Sequence, residues 1–418
     1  MRILLYGINF SPELTGIGKY SGEMATWLAQ RGHDVHVITS VPYYPQWKIH
    51  SGYKNWWSIE FLSLQANPKV KKKVGFLKVY RCPLWIPSKP RGLKRILHSA
   101  SFAMSSLPLF ILQWKWRPEI IFVVEPPLFC APSALIFSKL MGSKSWLHIQ
   151  DFEVDAAFQL GIIKGRILKK LASLVDLWLM RHFDMVSTIS NSMLKRLTNQ
   201  NIKNLSFFPN WASLSYFDIE LSGCEPLHKK YGFDFRKILC LYSGNISTKQ
   251  GLDGLMDVAS QLPDFQFIIC GDGVYRKVLM KKFEGISNIL FLPLQPIEKF
   301  TEFLKAADIH LIMQKKGMSD LVMPSKLTNI LAIGGVAVVT AEPDSELGLL
   351  SVGLNPCVYR CDPEDANQLR EALIFLRDNP AIRTKLALAA RDYALKNLEI
   401  SHVLYKYEKS MNELISPP

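Results

Sequence analysis

The sequence predicts an α/β fold of two Rossmann-like, doubly wound domains in tandem, facing each other across a cleft, and three observations lead to it. Short apolar runs alternate with stretches of helical period along the 418 residues, the order that a parallel sheet with covering helices requires. The alternation breaks off at a polar, turn-rich stretch from Ala212 to Gly232 and then starts afresh. With 48% hydrophobic residues the chain has material for two cores, and its length exceeds what one core usually supports.

The first half opens with a strand at Arg2 to Tyr6, a helix around Lys19 to Arg31 and, after the turn at Gly32, a strand at Asp34 to Thr39. Apolar runs at Ile120 to Val124, Ser145 to Ile149, Met185 to Ile189 and Leu205 to Phe208 read as further strands, so a first domain is expected over residues 1–212. The second half reads as strands over 237–242, 265–270, 289–292, 309–313 and 337–340, with helices over 251–262, 274–283, 297–306, 326–333 and 364–377. That pattern makes a second domain over 213–385. The last stretch is helical in pattern, with Tyr393, Leu404, Tyr407 and Met411 on apolar faces, and a segment 386–418 is expected to cross back onto the first domain.

Composition narrows the function. Seven cysteines form no CxxC pair and no His/Cys cluster of zinc spacing, so they read as reduced core residues and no metal is expected. The start, Met1 and Arg2 followed by Ile3 to Tyr6 and then Gly7 and Asn9, has no small-residue cleavage pattern, and a cytoplasmic location is expected. A net charge of +14 calls for an acidic partner. Lys69, Lys71, Lys72, Lys73, Lys78, Arg81, Lys89, Arg91, Lys94 and Arg95 precede an apolar, tryptophan-ended stretch from Ile96 to Trp116. This combination suits an interfacial segment on an anionic membrane, and equally a solvated loop before a core helix. Serines and Pro108 interrupt the stretch, so it is not expected to span a bilayer. Without RNA-binding signatures, nucleic acid is not an expected partner.

Open α/β sheets bind ligands in the loops after strands, and there the chemistry-bearing residues collect. The first such loop carries Gly16 and Gly18 ahead of a helix, where backbone N–H groups can approach a phosphate. These glycines lie too far from their strand for a dinucleotide fingerprint, and the second strand ends without a ribose-binding acid. In the second half, Ser243, Gly244 and Asn245 lead through Lys249 to Gly251; Gly271, Asp272 and Gly273 end the next strand; Ser325 and Lys326 open a helix that holds Asn329. Three successive strand ends with glycine, lysine or serine describe a phosphate site, with Lys249 and Lys326 as its charges. After the run Ser145 to Ile149 come Gln150, Asp151, Glu153 and Asp155; His148 points either to substrate or into the core. The tract from Pro42 to Trp47 is an aromatic loop suited either to stacking on a sugar or to packing.

The order of Gly16 to Gly18, Ser243 to Gly251, Gly271 to Gly273 and Pro324 to Gly334 resembles glycosyltransferase family 4 over essentially the whole chain. Tyr6 to Tyr20, His148 to Asp151 and Pro324 to Gly335 are similar to the colanic acid biosynthesis glycosyltransferases of enteric bacteria. The resemblance implies a GT-B fold and a metal-independent hexosyl transfer that retains anomeric configuration. Its donor, a nucleotide sugar, would bind the C-terminal domain as co-substrate, with no cofactor. Its acceptor, a lipid-linked saccharide, would bind the N-terminal domain at the inner face of the cytoplasmic membrane. Family context suggests GDP-fucose as donor. The implied donor contacts are Gly16, Gly18, Gly244, Asn245, Gly271, Gly273, Ser325 and Asn329, and the implied catalytic groups are Lys249 and Lys326 on the diphosphate, with Asp151 or His148 orienting the sugar or taking the acceptor proton. Where many members carry two glutamates eight positions apart, this chain has Leu321 and Asn329. A nucleotide-sugar 2-epimerase and a non-catalytic nucleotide-sugar-binding subunit are the rival readings.

Overall fold

The protein is seen here as a computed structural model, which describes residues 1–13, 16–62, 74–90, 92–159, 165–217, 227–295, 297–317 and 325–416. It forms two compact units, Met1–Pro209 joined by Leu404–Pro418, and Asn210–Val403.

In the first unit, strands β1 (Arg2–Tyr6), β2 (Asp34–Ser40), β3 (Ser58–Leu62), β4 (Leu77–Cys82), β5 (Ile120–Glu125), β6 (Lys144–Ile149), β7 (Met185–Thr188) and β8 (Leu205–Phe207) form one sheet in the order β3-β4-β2-β1-β5-β6-β7-β8. All neighbours are parallel except the edge strand β3, which runs antiparallel to β4. Every residue of β5 is buried, as a central parallel strand covered on both faces requires. β3 exposes all but one of its residues. Around the sheet lie α1 (Ile17–Gln30), α2 (Leu93–Leu112), α3 (Cys130–Met141), α4 (Glu153–Gln159), α5 (Arg166–His182) and α6 (Asn191–Asn199). α1 buries Tyr20, Met24 and Leu28, one turn apart, and such side chains contribute roughly 1.5–3 kcal/mol each.

Two expectations change here. β3 and β4 were not anticipated, because the second of them reads as part of a basic surface tract. Lys78 is half-buried against the rings of Phe61 and Tyr80, and Arg81 is buried, bonded to Glu60 Oε1 at 2.6 Å and to the carbonyls of Ser11 at 2.6 Å and Ser40 at 3.1 Å. α2 is continuous through Pro108 and is, among the described residues, one helix long and apolar enough to cross a membrane. It nevertheless buries Phe102, Leu109 and Phe110, and its Ser106 Oγ lies 2.7 Å from Tyr6 Oη. Lys69, Lys71, Lys72, Lys73 and Arg91 lie outside the described residues.

The second unit holds β9 (Ile238–Ser243), β10 (Phe265–Cys270), β11 (Ile289–Leu292), β12 (Ile309–Ile312), β13 (Ala337–Thr340) and β14 (Tyr359–Cys361) in the order β11-β10-β9-β12-β13-β14, all parallel. This is the doubly wound Rossmann order, with its reversal between β9 and β12. The six described cysteines are buried and unpaired.

The C-terminal stretch is two helices, Pro380–Asn397 and Ile400–Ile415. They part where the backbone turns to pair with the incoming chain: Ala212 N–H donates to Leu398 O at 2.7 Å and Ile400 N–H to Ala212 O at 3.2 Å. From Leu404 onward the last helix belongs to the first unit. Tyr407 stacks with Phe208 and lies tilted against Trp146. Glu408 meets Arg31 Nη2 at 2.8 Å and His33 Nε2 at 2.8 Å.

Burial opposes ionisation of Glu408, but the Arg31 and His33 donors outweigh it and hold the carboxyl below the usual glutamate range. A carboxyl depressed by folding stabilises the fold above its unfolded pKa and loses that contribution as pH falls. Glu408→Gln is expected to lower stability by about 1–3 kcal/mol at neutral pH. In urea melts, the gap between variant and wild type closes as pH drops below ~4.

Candidate functional site

In the second unit the loops after β9 and β10 are bonded into one floor. Gly244 N–H donates to Cys270 O at 2.9 Å, Ile246 N–H to Asp272 O at 2.8 Å and Tyr275 N–H to Ile246 O at 3.2 Å. Backbone approaches backbone so closely that a Cβ on Gly271 would fall 1.9 Å from Gly244 O, and one on Gly273 2.2 Å from Ile246 O. Only glycine fits at those two positions. The loops after β12 and β13 are tied as well, with Gln314 N–H donating to Thr340 Oγ1 at 2.7 Å and Gly317 N–H to Glu342 Oε1 at 2.6 Å.

Onto this floor comes Lys326, from the first turn of the helix Ser325–Ala332. Its Nζ lies 3.8 Å from the centroid of the Tyr242 ring, and a Cβ on Gly244 would stand 3.6 Å from Lys326 Cδ and 4.0 Å from Nζ. No carboxylate pairs with it among the described residues, and burial lowers its pKa to about 7. A cation held beside a glycine turn and a helix N-terminus is an anion site whose charge is not yet spent. Asn245 is exposed on the same turn, and Asn329 is half-buried one turn into the helix. The structure thus brings Gly244, Asn245, Gly271, Gly273, Lys326 and Asn329 to the carboxyl edge of one sheet. Leu321 and the side chains of Lys249 and Ser325 lie outside the described residues. Glu342 was not anticipated: its Oε2 is buried without a partner among the described residues, at the end of β13. Nothing in the local sequence marks it, since its place depends on Gly317.

In the first unit the carboxyl edge is organised by Glu13. This buried carboxylate accepts from Tyr43 N–H at 3.0 Å, Tyr44 N–H at 2.9 Å and Asn9 Nδ2 at 2.8 Å. Burial raises its pKa in spite of those donors. Gly18 is where it packs, for a Cβ there would lie 2.8 Å from Glu13 Cβ. Gly16 caps α1 at φ 60°, with nothing near it. Tyr43 is thereby fixed in the core against Trp47 and His98, while Tyr44 stays half-exposed. Arg95, at the start of α2, reaches over Trp47 with 5.8 Å to the ring centroid.

His148 is buried at the end of β6, with Nδ1 2.9 Å from Ser187 Oγ and Nε2 3.0 Å from the Gln150 amide nitrogen. Burial lowers its pKa to about 3, so the ring is neutral. Asp151 follows, near enough to Tyr44 and Glu125 to raise the pKa of both. Behind it stands an acid cluster. Glu125 is fully buried with neither oxygen partnered among the described residues; burial first, then Asp176 and Glu153, push its carboxyl well above the usual range. Glu153, also raised by burial, accepts Leu128 N–H at 2.6 Å. Asp155 pairs with Arg196.

Asp176 is lifted to about 7, by burial first and by Asp155 second, with Arg196 opposing. An acid raised by folding stabilises the fold while protonated and loses that as pH climbs through its folded pKa. Asp176→Asn, which mimics the protonated form, is therefore expected to gain on the wild type between pH 4 and pH 7, by on the order of 2 kcal/mol at pH 8. Thermal melts across that range measure the difference.

Comparison with known proteins agrees with this geometry. Residues 15–211 match the family model of the glycosyl transferase 4-like domain, and residues 225–393 that of the glycosyl transferases group 1. The chain is 41% identical over 97% of its length, and 98% of the relative's, to WcaI of Escherichia coli strain K12, whose name assigns it to colanic acid biosynthesis as a glycosyl transferase. Among solved structures, sucrose-phosphate synthase from Thermosynechococcus elongatus superposes with a TM-score of 0.75 at 13% identity, covering 99% of this chain and 98% of that one. Anabaena HepE in complex with UDP gives 0.70 at 12%, covering 99% and 100%. These two likenesses concern the fold. The epimerase reading is not favoured by these relatives, and the non-catalytic one gives way to a catalytic assignment. The chain belongs to glycosyltransferase family 4 and is a glycosyltransferase of the GT-B fold.

Proposed function

We propose that this enzyme moves a sugar, with retention, from a nucleoside diphosphate sugar to a lipid-linked oligosaccharide in the assembly of a colanic acid-like exopolysaccharide. The pathway follows from the relationship to WcaI at 41% identity. The observation that carries the donor site is Lys326, an ammonium without a carboxylate partner among the described residues, held over Tyr242 beside Gly244. The leaving group is a diphosphate, and charge growing on its bridging oxygen is what the site must stabilise. Lys326 and Lys249 supply positive charge, while Ser325 and the turn at Gly244 and Asn245 supply backbone donors, with no divalent cation in the scheme. Asn329 and Glu342 are the groups at hand for ribose hydroxyls, in place of the paired glutamates. GDP-fucose is the donor we favour.

The acceptor is assigned to the first unit. Tyr44 and Asp151 offer an aromatic face and a carboxylate at its carboxyl edge, with Gly16 and Gly18 starting the neighbouring helix. The neutral, doubly bonded His148 is read as a positioning residue that sets the Gln150 amide, and Asp151 as the group that orients the sugar or receives the acceptor proton. We place the enzyme in the cytoplasm, peripheral on the inner face of the cytoplasmic membrane.

Lys326 gives the test. In the free enzyme it loses its proton above about pH 7, whereas a bound diphosphate favours the ammonium, so binding must take up a proton in that range. Affinity for GDP or UDP is therefore expected to fall as pH rises from 7 to 8.5, by up to about tenfold per unit. Calorimetric titrations should show the slope in the wild type, its loss in Lys326→Arg, and weak binding at every pH in Lys326→Ala. Equal, pH-independent affinity in wild type and Lys326→Ala would remove the donor site from this loop.

A further inference from the structure

We infer that the outer side of the helical layer α2, α3 and α5 in the first unit is a docking surface for an anionic phospholipid bilayer. This rests on the peripheral-membrane reading above and names the surface responsible. α3 packs against both α2 and α5, so the three helices form one layer over the sheet. That layer turns apolar side chains outward as well as inward. On α5, Ile167 (87% exposed), Leu171, Leu174 and Trp178 (57%) follow one another at helical spacing along the solvent side. Leu97 and Met104 continue the exposed apolar surface on α2, and Ile136 and Leu140 on α3. Large apolar side chains left to water along one helical layer mark an interaction surface.

Charge selects the occupant. The three helices carry Lys94, Arg95, Lys139, Arg166, Lys169, Lys170 and Arg181, and their single carboxylate, Asp176, is buried. An apolar strip rimmed by one sign of charge matches acyl chains beneath anionic headgroups. A second copy of the chain fits worse, because a two-fold contact would set these cations against each other. The helices lie in the interface rather than across it, since the inner side of α2 is committed to the sheet through Phe102 and Phe110 and the Tyr6–Ser106 bond. Both α2 and α5 begin at the carboxyl edge of the sheet, the edge that carries Tyr44 and Asp151, so a lipid carrier lying in the bilayer would present its saccharide there.

Co-sedimentation of the full chain with vesicles tests this. Wild type should pellet with phosphatidylethanolamine–phosphatidylglycerol vesicles and not with phosphatidylcholine. Ile167→Ser with Leu171→Ser and Trp178→Ser, and separately Lys169→Glu with Lys170→Glu, should each weaken that binding about tenfold or more. Melting temperature and GDP or UDP affinity report that the fold and donor site are intact, independently of lipid. Unchanged sedimentation of both variants, with the wild type bound, overturns α5 as the surface and leaves the membrane reading standing. A wild type that binds neither vesicle overturns both. Equal binding to both vesicles overturns the charge argument, and a wild-type dimer that the serine variant dissociates assigns the face to a second copy.

Discussion

The close approach of Gly244 O to Gly271 is the constraint from which the carboxyl edge of the second unit follows. A parallel sheet ends its strands on one edge, and neighbouring loops there must either diverge or lie against each other. Here they lie together, because Gly271 and Gly273 have no Cβ to collide with Gly244 O and Ile246 O. The result is a floor with a glycine turn at its edge, low enough for the Lys326 side chain to cross it and rest on Tyr242. Any larger residue at Gly271 would push the Gly244 turn away and displace the lysine from the Tyr242 ring.

The two units handle charge in a related way. In the second, Lys326 has no carboxylate partner among the described residues, and burial makes its ammonium costly. In the first, burial and neighbouring carboxylates raise the pKa of Glu125 and of Asp176, the latter against the opposing pull of Arg196. Both arrangements sacrifice some stability. The first unit recovers stability where charges are fully partnered, as at Glu408 with Arg31 and His33, and at Arg81 with Glu60 and two carbonyls.

What was legible in the sequence was what depends on local pattern. The run Ile120 to Val124 announced a buried parallel strand because such strands do not alternate, and the glycine turns announced loops because few other residues make them. What escaped notice depends on partners far along the chain. Arg81 looks like one more surface cation until Ser11, Ser40 and Glu60 surround it. Glu13 sits inside the first glycine loop, yet nothing local says that it will accept from Tyr43 and Tyr44 thirty residues on. His148 carried two readings, and its neighbours decide its chemistry: Ser187 and Gln150 occupy both ring nitrogens.

That last point bears on the chemistry open to the carboxyl edge of the first unit. A proton acceptor needs a free lone pair near the reacting oxygen and a pKa near the working pH. The His148 ring has neither, with both nitrogens engaged and its pKa near 3. Its value is geometric, since the Gln150 amide it holds is one residue from Asp151, and Gln150 N–H also donates to Glu125 O at 2.9 Å. The strand end is therefore fixed on two sides before the chain reaches Asp151. Burial and the carboxyls of Asp176, Glu153 and Asp151 all favour the neutral form of Glu125, the form that does not repel a neighbouring carboxylate.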